Sequence, residues 1–153
     1  NESDNENIKN RYFYYHNTGL QNHSILYYKD GINGDAKVLL DPNTFSEDGS
    51  ESLSMVSVSK DGNTLAYGIS QSGSDWDEYF IMDITSGKKY DDHLKWIKFS
   101  SASWLPDGSG FYYSRYPEPQ IGSEYKNQNY FPSGPFLKIV FSCADSDFFF
   151  FIF

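Results

Sequence analysis

A chain of 153 residues has room for one ordinary domain or for part of a larger one. Its 12 basic and 21 acidic residues leave a net charge of −9. That charge repels phosphate backbones and anionic lipid, so no nucleic acid and no membrane is expected as a partner; peptides, held by backbone hydrogen bonds and side-chain pockets, are not excluded. With 13 Tyr, 13 Phe and 3 Trp, aromatic residues make up 19% of the chain. They are scarce in disordered sequences and favoured in strands, so most of the chain reads as folded and rich in β-structure.

Residues 1–10 are polar and turn-forming and read as a disordered or frayed N-terminus. Arg11 to Tyr15 and His23 to Lys29 are β-favouring aromatic runs, separated by the turn residues Asn17-Thr18-Gly19. Lys37 to Leu40 is a short apolar run, closed by Asp41-Pro42-Asn43, where proline ends strand pairing. Met55 to Val58 leads through Lys60-Asp61-Gly62-Asn63 into Thr64 to Gly68. The Asp-Gly pair there supplies the positive φ that a tight hairpin needs. Tyr79 to Ile84 is a further strand, followed by the turn Thr85-Ser86-Gly87. Helical periodicity is absent throughout, and the chain is expected to be all-β.

A repeat runs through these elements. Ser57-Val58-Ser59-Lys60-Asp61-Gly62 with Leu65-Ala66-Tyr67 matches Ser103-Trp104-Leu105-Pro106-Asp107-Gly108 with Phe111-Tyr112-Tyr113, 46 residues further on. Phe13-Tyr14-Tyr15 gives a weaker third copy. A period of about 40–50 residues, each holding several short strands, is the signature of β-propeller blades.

Three segments carry a family resemblance. They are Arg11-Tyr12-Phe13-Tyr14-Tyr15-His16-Asn17-Thr18-Gly19-Leu20-Gln21-Asn22; Leu40-Asp41-Pro42-Asn43; and the stretch from Ser59 through Lys60-Asp61-Gly62 and Leu65-Ala66-Tyr67-Gly68 to Ser72-Gly73-Ser74-Asp75-Trp76. In order and spacing they resemble the early propeller blades of the prolyl oligopeptidase family of serine peptidases. The similarity continues through Ile97-Lys98-Phe99-Ser100 and Trp104 to Tyr112-Tyr113-Ser114-Arg115-Tyr116-Pro117, and covers residues 11–125.

The resemblance implies a two-domain parent. An α/β-hydrolase domain with a Ser-Asp-His triad hydrolyses short peptides on the carboxyl side of proline, and a seven-bladed propeller gates it. This chain is expected to hold a partial propeller of about two to three blades and to lack the hydrolase domain, its partner in the intact parent. Short proline-containing peptides are the implied substrates, and no cofactor is implied. Phe99 matches a propeller phenylalanine that lines the apolar pocket for the substrate residue two before the proline. The plainer reading of Phe99 is a strand residue packed between blades.

The residues themselves offer no catalytic group. A nucleophile elbow needs Gly-x-Ser-x-Gly, because its strained turn has space only for glycine beside the exposed serine. That spacing does not occur in these 153 residues. Gly68-Ile69-Ser70-Gln71-Ser72 comes nearest but carries Ser72 where glycine belongs, and Ser109 belongs to a hairpin turn. His16, His23 and His93 read as surface histidines. Glu47-Asp48-Gly49-Ser50-Glu51 and Asp91-Asp92 lack the alternation of a calcium loop and read as solvated turns. No metal ligand is assigned, and the chain by itself is not expected to be active.

Residues 126–153 leave the family pattern and end in Phe148-Phe149-Phe150-Phe151-Ile152-Phe153. Lys138, Asp145 and Asp147 interrupt the apolar stretch, which argues against a membrane span. The uncharged phenylalanine run reads as aggregation-prone, as a wrong reading frame or an unremoved intron would produce. Cys143 is the one cysteine, and no signal peptide is visible, so a cytoplasmic parent is expected. The competing expectation is a non-catalytic, propeller-derived module that binds a peptide or protein along an open strand edge, or a truncated product without function.

Overall fold

Arg11–His16 (β1), Ile25–Asp30 (β2) and Lys37–Leu40 (β3) form a three-stranded antiparallel sheet in the order β1-β2-β3. The computed structural model describes residues 10–72, 74–118 and 135–139. The chain divides into two compact units, residues 1–50 and 51–153, and this sheet belongs to the first. Its register runs unbroken from Arg11 opposite Asp30 to His16 opposite Ile25. That register brings the Arg11 Nε donor to Asp30 Oδ1 at 2.7 Å and stacks Tyr14 on Tyr27 at 5.6 Å. Such cross-strand pairs are what stabilise a sheet beyond its backbone ladder. The Leu40-Asp41-Pro42-Asn43 motif has a clear local purpose. Pro42–Thr44 makes one 3₁₀ turn, and the Asp41 carboxylate accepts the Asn43 N–H. The Asn43 side chain then accepts the His23 N–H and donates to the His23 carbonyl, both at 2.9 Å.

The second unit opens with a four-stranded meander, Glu51–Val58 (β4), Thr64–Gln71 (β5), Asp77–Asp83 (β6) and Lys89–Ile97 (β7), paired in chain order. Ser103–Trp104 (β8), Gly110–Ser114 (β9) and Pro135–Ile139 (β10) form a third sheet in the order β10-β9-β8. The repeat seen in the sequence is present at the level of single hydrogen bonds. In the first copy the Ser59 N–H donates to the Thr64 carbonyl and the Gly62 N–H to the Ser59 carbonyl. In the second, Leu105 donates to Gly110 and Gly108 to Leu105. Gly62 and Gly108 share a φ of 72°, the left-handed backbone that the Asp-Gly turn requires. The three antiparallel sheets with almost no helix are the partial propeller that the sequence implied.

The core of the second unit lies between its two sheets. Ala66, Tyr79, Ile81 and Ile97 of the meander pack against Phe111 and Tyr113 of the third sheet and against Ala102 just before it, with Met55, Tyr90, Leu94 and Trp104 at the margin. Gly68 stands opposite Tyr79, and a Cβ there would come within 2.9 Å of the tyrosine ring. Its absence lets the ring lie flat across the strand. The Tyr79 hydroxyl donates to the Ser100 carbonyl at 2.7 Å, and burial with the nearby Asp77 charge pushes its pKa up to about 12, so it stays a neutral donor. Two more bonds tie the sheets: Trp104 Nε1 donates to the Ser57 carbonyl, and Ser57 Oγ to the Ala102 carbonyl.

One expectation is corrected. Asp91-Asp92 is not a solvated turn but the middle of β7. Tyr90, Asp92, Leu94 and Trp96 are half-buried while Lys89, Asp91, His93 and Lys95 are exposed. This alternation suits an edge strand, where charge on the outer face is tolerated and blocks further pairing. Within residues 126–153, Pro135–Ile139 is an ordinary strand paired with β9. The phenylalanine run, Cys143 and residues 1–9 lie outside the described residues. Asn10, at the end of the expected frayed segment, accepts a hydrogen bond from the Gly31 N–H. Among the described residues no helix is long and apolar enough to cross a membrane.

Candidate functional site

The exit of β7 departs from regular strand geometry. Its pairing with β6 shifts register twice; Trp96 lies within the second shift, between Leu94 and Ile97, and Phe99 beyond it, with φ values of 63° and 54°. Among the described residues these are the non-glycine positions with positive φ. Bulky side chains in that region cost of order 1–3 kcal/mol each and persist only where the surroundings over-determine them. The surroundings do so here. Ile97, between the two, is fully buried, and Ser100, just after Phe99, is fixed twice. The Ser100 carbonyl accepts from Tyr79, and the Ser100 hydroxyl oxygen accepts the Ser114 N–H at 2.8 Å. Phe99 is therefore the crest of a short loop held at both ends, and it is 82% exposed.

An aromatic group supports the crest from below. Lys98 Nζ lies 2.9 Å from Asp75 Oδ2, 5.6 Å from the centre of the Trp76 ring and 5.1 Å from that of Phe99. The Trp76 ring meets Trp96 edge-on at 6.2 Å and Tyr116 at 5.4 Å. Tyr116 in turn donates its N–H to the Trp96 carbonyl at 2.7 Å, which secures the left-handed residue. Trp76 also walls a shallow cleft of about 210 Å³ with Glu51, Ile69, Gln71, Ser74, Glu78 and Phe80. That is smaller than the ~300–1,000 Å³ of pockets that enclose a drug-sized ligand.

Phe99 is thus placed outside β7 and in solvent, which the plainer reading, a strand residue packed between blades, did not anticipate. Composition and pairing patterns alone gave no sign of Trp96, Tyr116 and Lys98 gathering beneath it. Left-handed backbone at a non-glycine residue leaves no compositional trace. The other residues weighed in the sequence are dispersed. His16 is exposed, edge-on to Tyr27. His23 is half-buried rather than superficial, with Nε2 3.4 Å from the Gly49 carbonyl. His93 stacks on Phe80 and pairs with Glu78. Ser109 donates to Asp107 inside its turn, and Ser70 meets Ser52 across the β4–β5 ladder. Among the described residues no three His, Cys, Asp or Glu side chains converge as a metal site would require.

Comparison with known proteins fits this architecture. The sequence model of the prolyl oligopeptidase N-terminal β-propeller domain matches residues 7–131. The chain belongs to that family. It is similar to the prolyl endopeptidase of Elizabethkingia meningoseptica, at 48% identity over 116 residues, covering 75% of this chain and 16% of that protein. It is also similar to prolyl oligopeptidase A of Galerina marginata, at 36% identity over 131 residues, covering 71% and 18%. Among solved structures, one from a study of two prolyl endopeptidases superposes with a TM-score of 0.78 at 30% identity, covering 86% of this chain and 19% of the other. Prolyl oligopeptidase B of Galerina marginata, bound to a 25-residue macrocyclisation substrate, superposes at 0.70 with 26% identity, covering 85% and 20%. This family member thus spans about a sixth of the length of the curated relatives it matches.

Proposed function

We propose that this chain is part of the gating propeller of a prolyl oligopeptidase, a serine-type endopeptidase that hydrolyses short peptides on the carboxyl side of proline. The relatives named as prolyl endopeptidases and the propeller fold support this reading. The observation that carries the chain's own share is Phe99, an aromatic side chain exposed on a loop anchored at both ends. A rigid aromatic face offers apolar contact area at little entropic cost. In the proposal it forms the propeller side of the pocket for the substrate residue two before the proline. The nucleophile, its base and the oxyanion donors come from an α/β-hydrolase domain, since these 153 residues hold no Gly-x-Ser-x-Gly elbow and are inactive without one. A cytoplasmic setting belongs to the same proposal.

The test is to read the transcript past the codon for Phe153 and to assay the full gene product on a peptide whose reporter group is amide-linked to proline. A downstream elbow and release of the reporter bear the reading out. A stop codon directly after the phenylalanine run, with no hydrolysis, leaves the non-catalytic binding module or a product without function.

A further inference from the structure

Phe99 could present its ring in many ways, since an exposed phenylalanine turns freely about χ1 and χ2 unless something holds it. The structure supplies a holder that belongs to no strand ladder. The Lys98 ammonium sits over both the Trp76 and the Phe99 rings, at 5.6 Å and 5.1 Å, while its charge is taken up by Asp75 Oδ2 at 2.9 Å. The ammonium thus contacts both a ring embedded in the Trp96–Tyr116 cluster and a ring standing in solvent. Cations are attracted to the negative face of an aromatic ring, so Lys98 covers one face of Phe99 and leaves the other to solvent.

We propose that Lys98, held by Asp75 and Trp76, is a positioning residue that fixes the orientation of the Phe99 ring and thereby its selectivity for large apolar side chains. This rests on the pocket role proposed for Phe99. The strained backbone constrains where the ring starts, since Phe99 is held at a left-handed φ. The ammonium then narrows the rotamers the ring can adopt. An oriented ring binds with less entropy left to lose than a mobile one, which favours ligands that cover its open face. A substrate with glycine at the same position gains nothing from that face and is indifferent to Lys98.

The experiment compares two peptides in the full gene product, one with phenylalanine and one with glycine two residues before the proline. Lys98→Met is expected to raise KM several-fold for the phenylalanine peptide, leave kcat unchanged, and leave both constants unchanged for the glycine peptide. Lys98→Arg, which keeps a cation over both rings, is expected to restore KM. Asp75→Asn should move KM in the same direction by less. Phe99→Ala is run alongside. If it separates the two peptides while Lys98→Met does not, the positioning role is overturned and the pocket stands. If Phe99→Ala fails to separate them, the pocket falls and this inference with it. If Lys98→Met lowers kcat/KM equally for both peptides, or Lys98→Arg fails to rescue, Lys98 is structural only and the proposal is wrong.

Discussion

Two hairpins 46 residues apart, Ser59–Thr64 and Leu105–Gly110, close with the same backbone hydrogen bonds but are secured by different side chains. In the first, the buried Ser59 hydroxyl accepts the Thr64 N–H at 2.9 Å and donates to Asp61 Oδ1, which also takes the Asn63 N–H. In the second, Leu105 stands where Ser59 does and can make neither bond, and Asp107 accepts from the backbone and hydroxyl of Ser109. The backbone turn is therefore written by Asp-Gly alone. What joins the turn to its strands is decided copy by copy, by a buried hydroxyl in one and by apolar packing of Phe111 and Trp104 in the other.

That contrast can be broken from either side. The largest effect is expected at Phe111, fully buried between the two sheets of the second unit. Phe111→Ala should cost about 3–5 kcal/mol in a denaturant titration, because the cavity adds to the lost transfer energy. Ser59→Ala should cost about 1–3 kcal/mol, since it strands the Thr64 N–H next to a buried position. Asp61→Ala should cost about 1 kcal/mol, kept small because much of the carboxylate is in water, while Asp107→Ala, on a fully exposed turn, should cost less still. A matching loss at both aspartates would show that the two copies are secured alike.

The smallest effect concerns acid. Burial alone would raise the Asp61 carboxyl, but the hydrogen bonds from Ser59 and Asn63 outweigh it and hold it below the usual carboxylate range. Ser109 does the same for Asp107. A carboxyl lowered in the folded state adds stability that is fully present above the unfolded value, about 3.9, and is lost as pH falls through the folded value. Stability should therefore decline below about pH 4, and Asp61→Asn should flatten that decline. An unchanged acid limb in the variant would remove Asp61 from the account.

Much of the fold was legible because its signals are local. Lys37 to Leu40 is bounded by Pro42, and Gly62 and Gly108 mark turns that only positive φ can make. The strand β7 was missed because it reads Lys-Tyr-Asp-Asp-His-Leu-Lys-Trp-Ile, charged or polar at every exposed position, and an edge strand of that kind resembles a loop in composition. Phe99 was legible only through the family pattern, and its exposure was not legible at all. That exposure depends on Tyr79 and Ser114 gripping Ser100 from two other strands, contacts that sequence spacing does not encode.

The most direct measurement is steady-state kinetics of the full gene product and its Phe99→Ala variant, on peptides that differ only in the residue two before the proline. A propeller aromatic that lines the pocket predicts cleavage after proline, with KM raised in the variant for large apolar residues and unchanged for glycine. Equal KM values for the two proteins across the whole series would contradict the account.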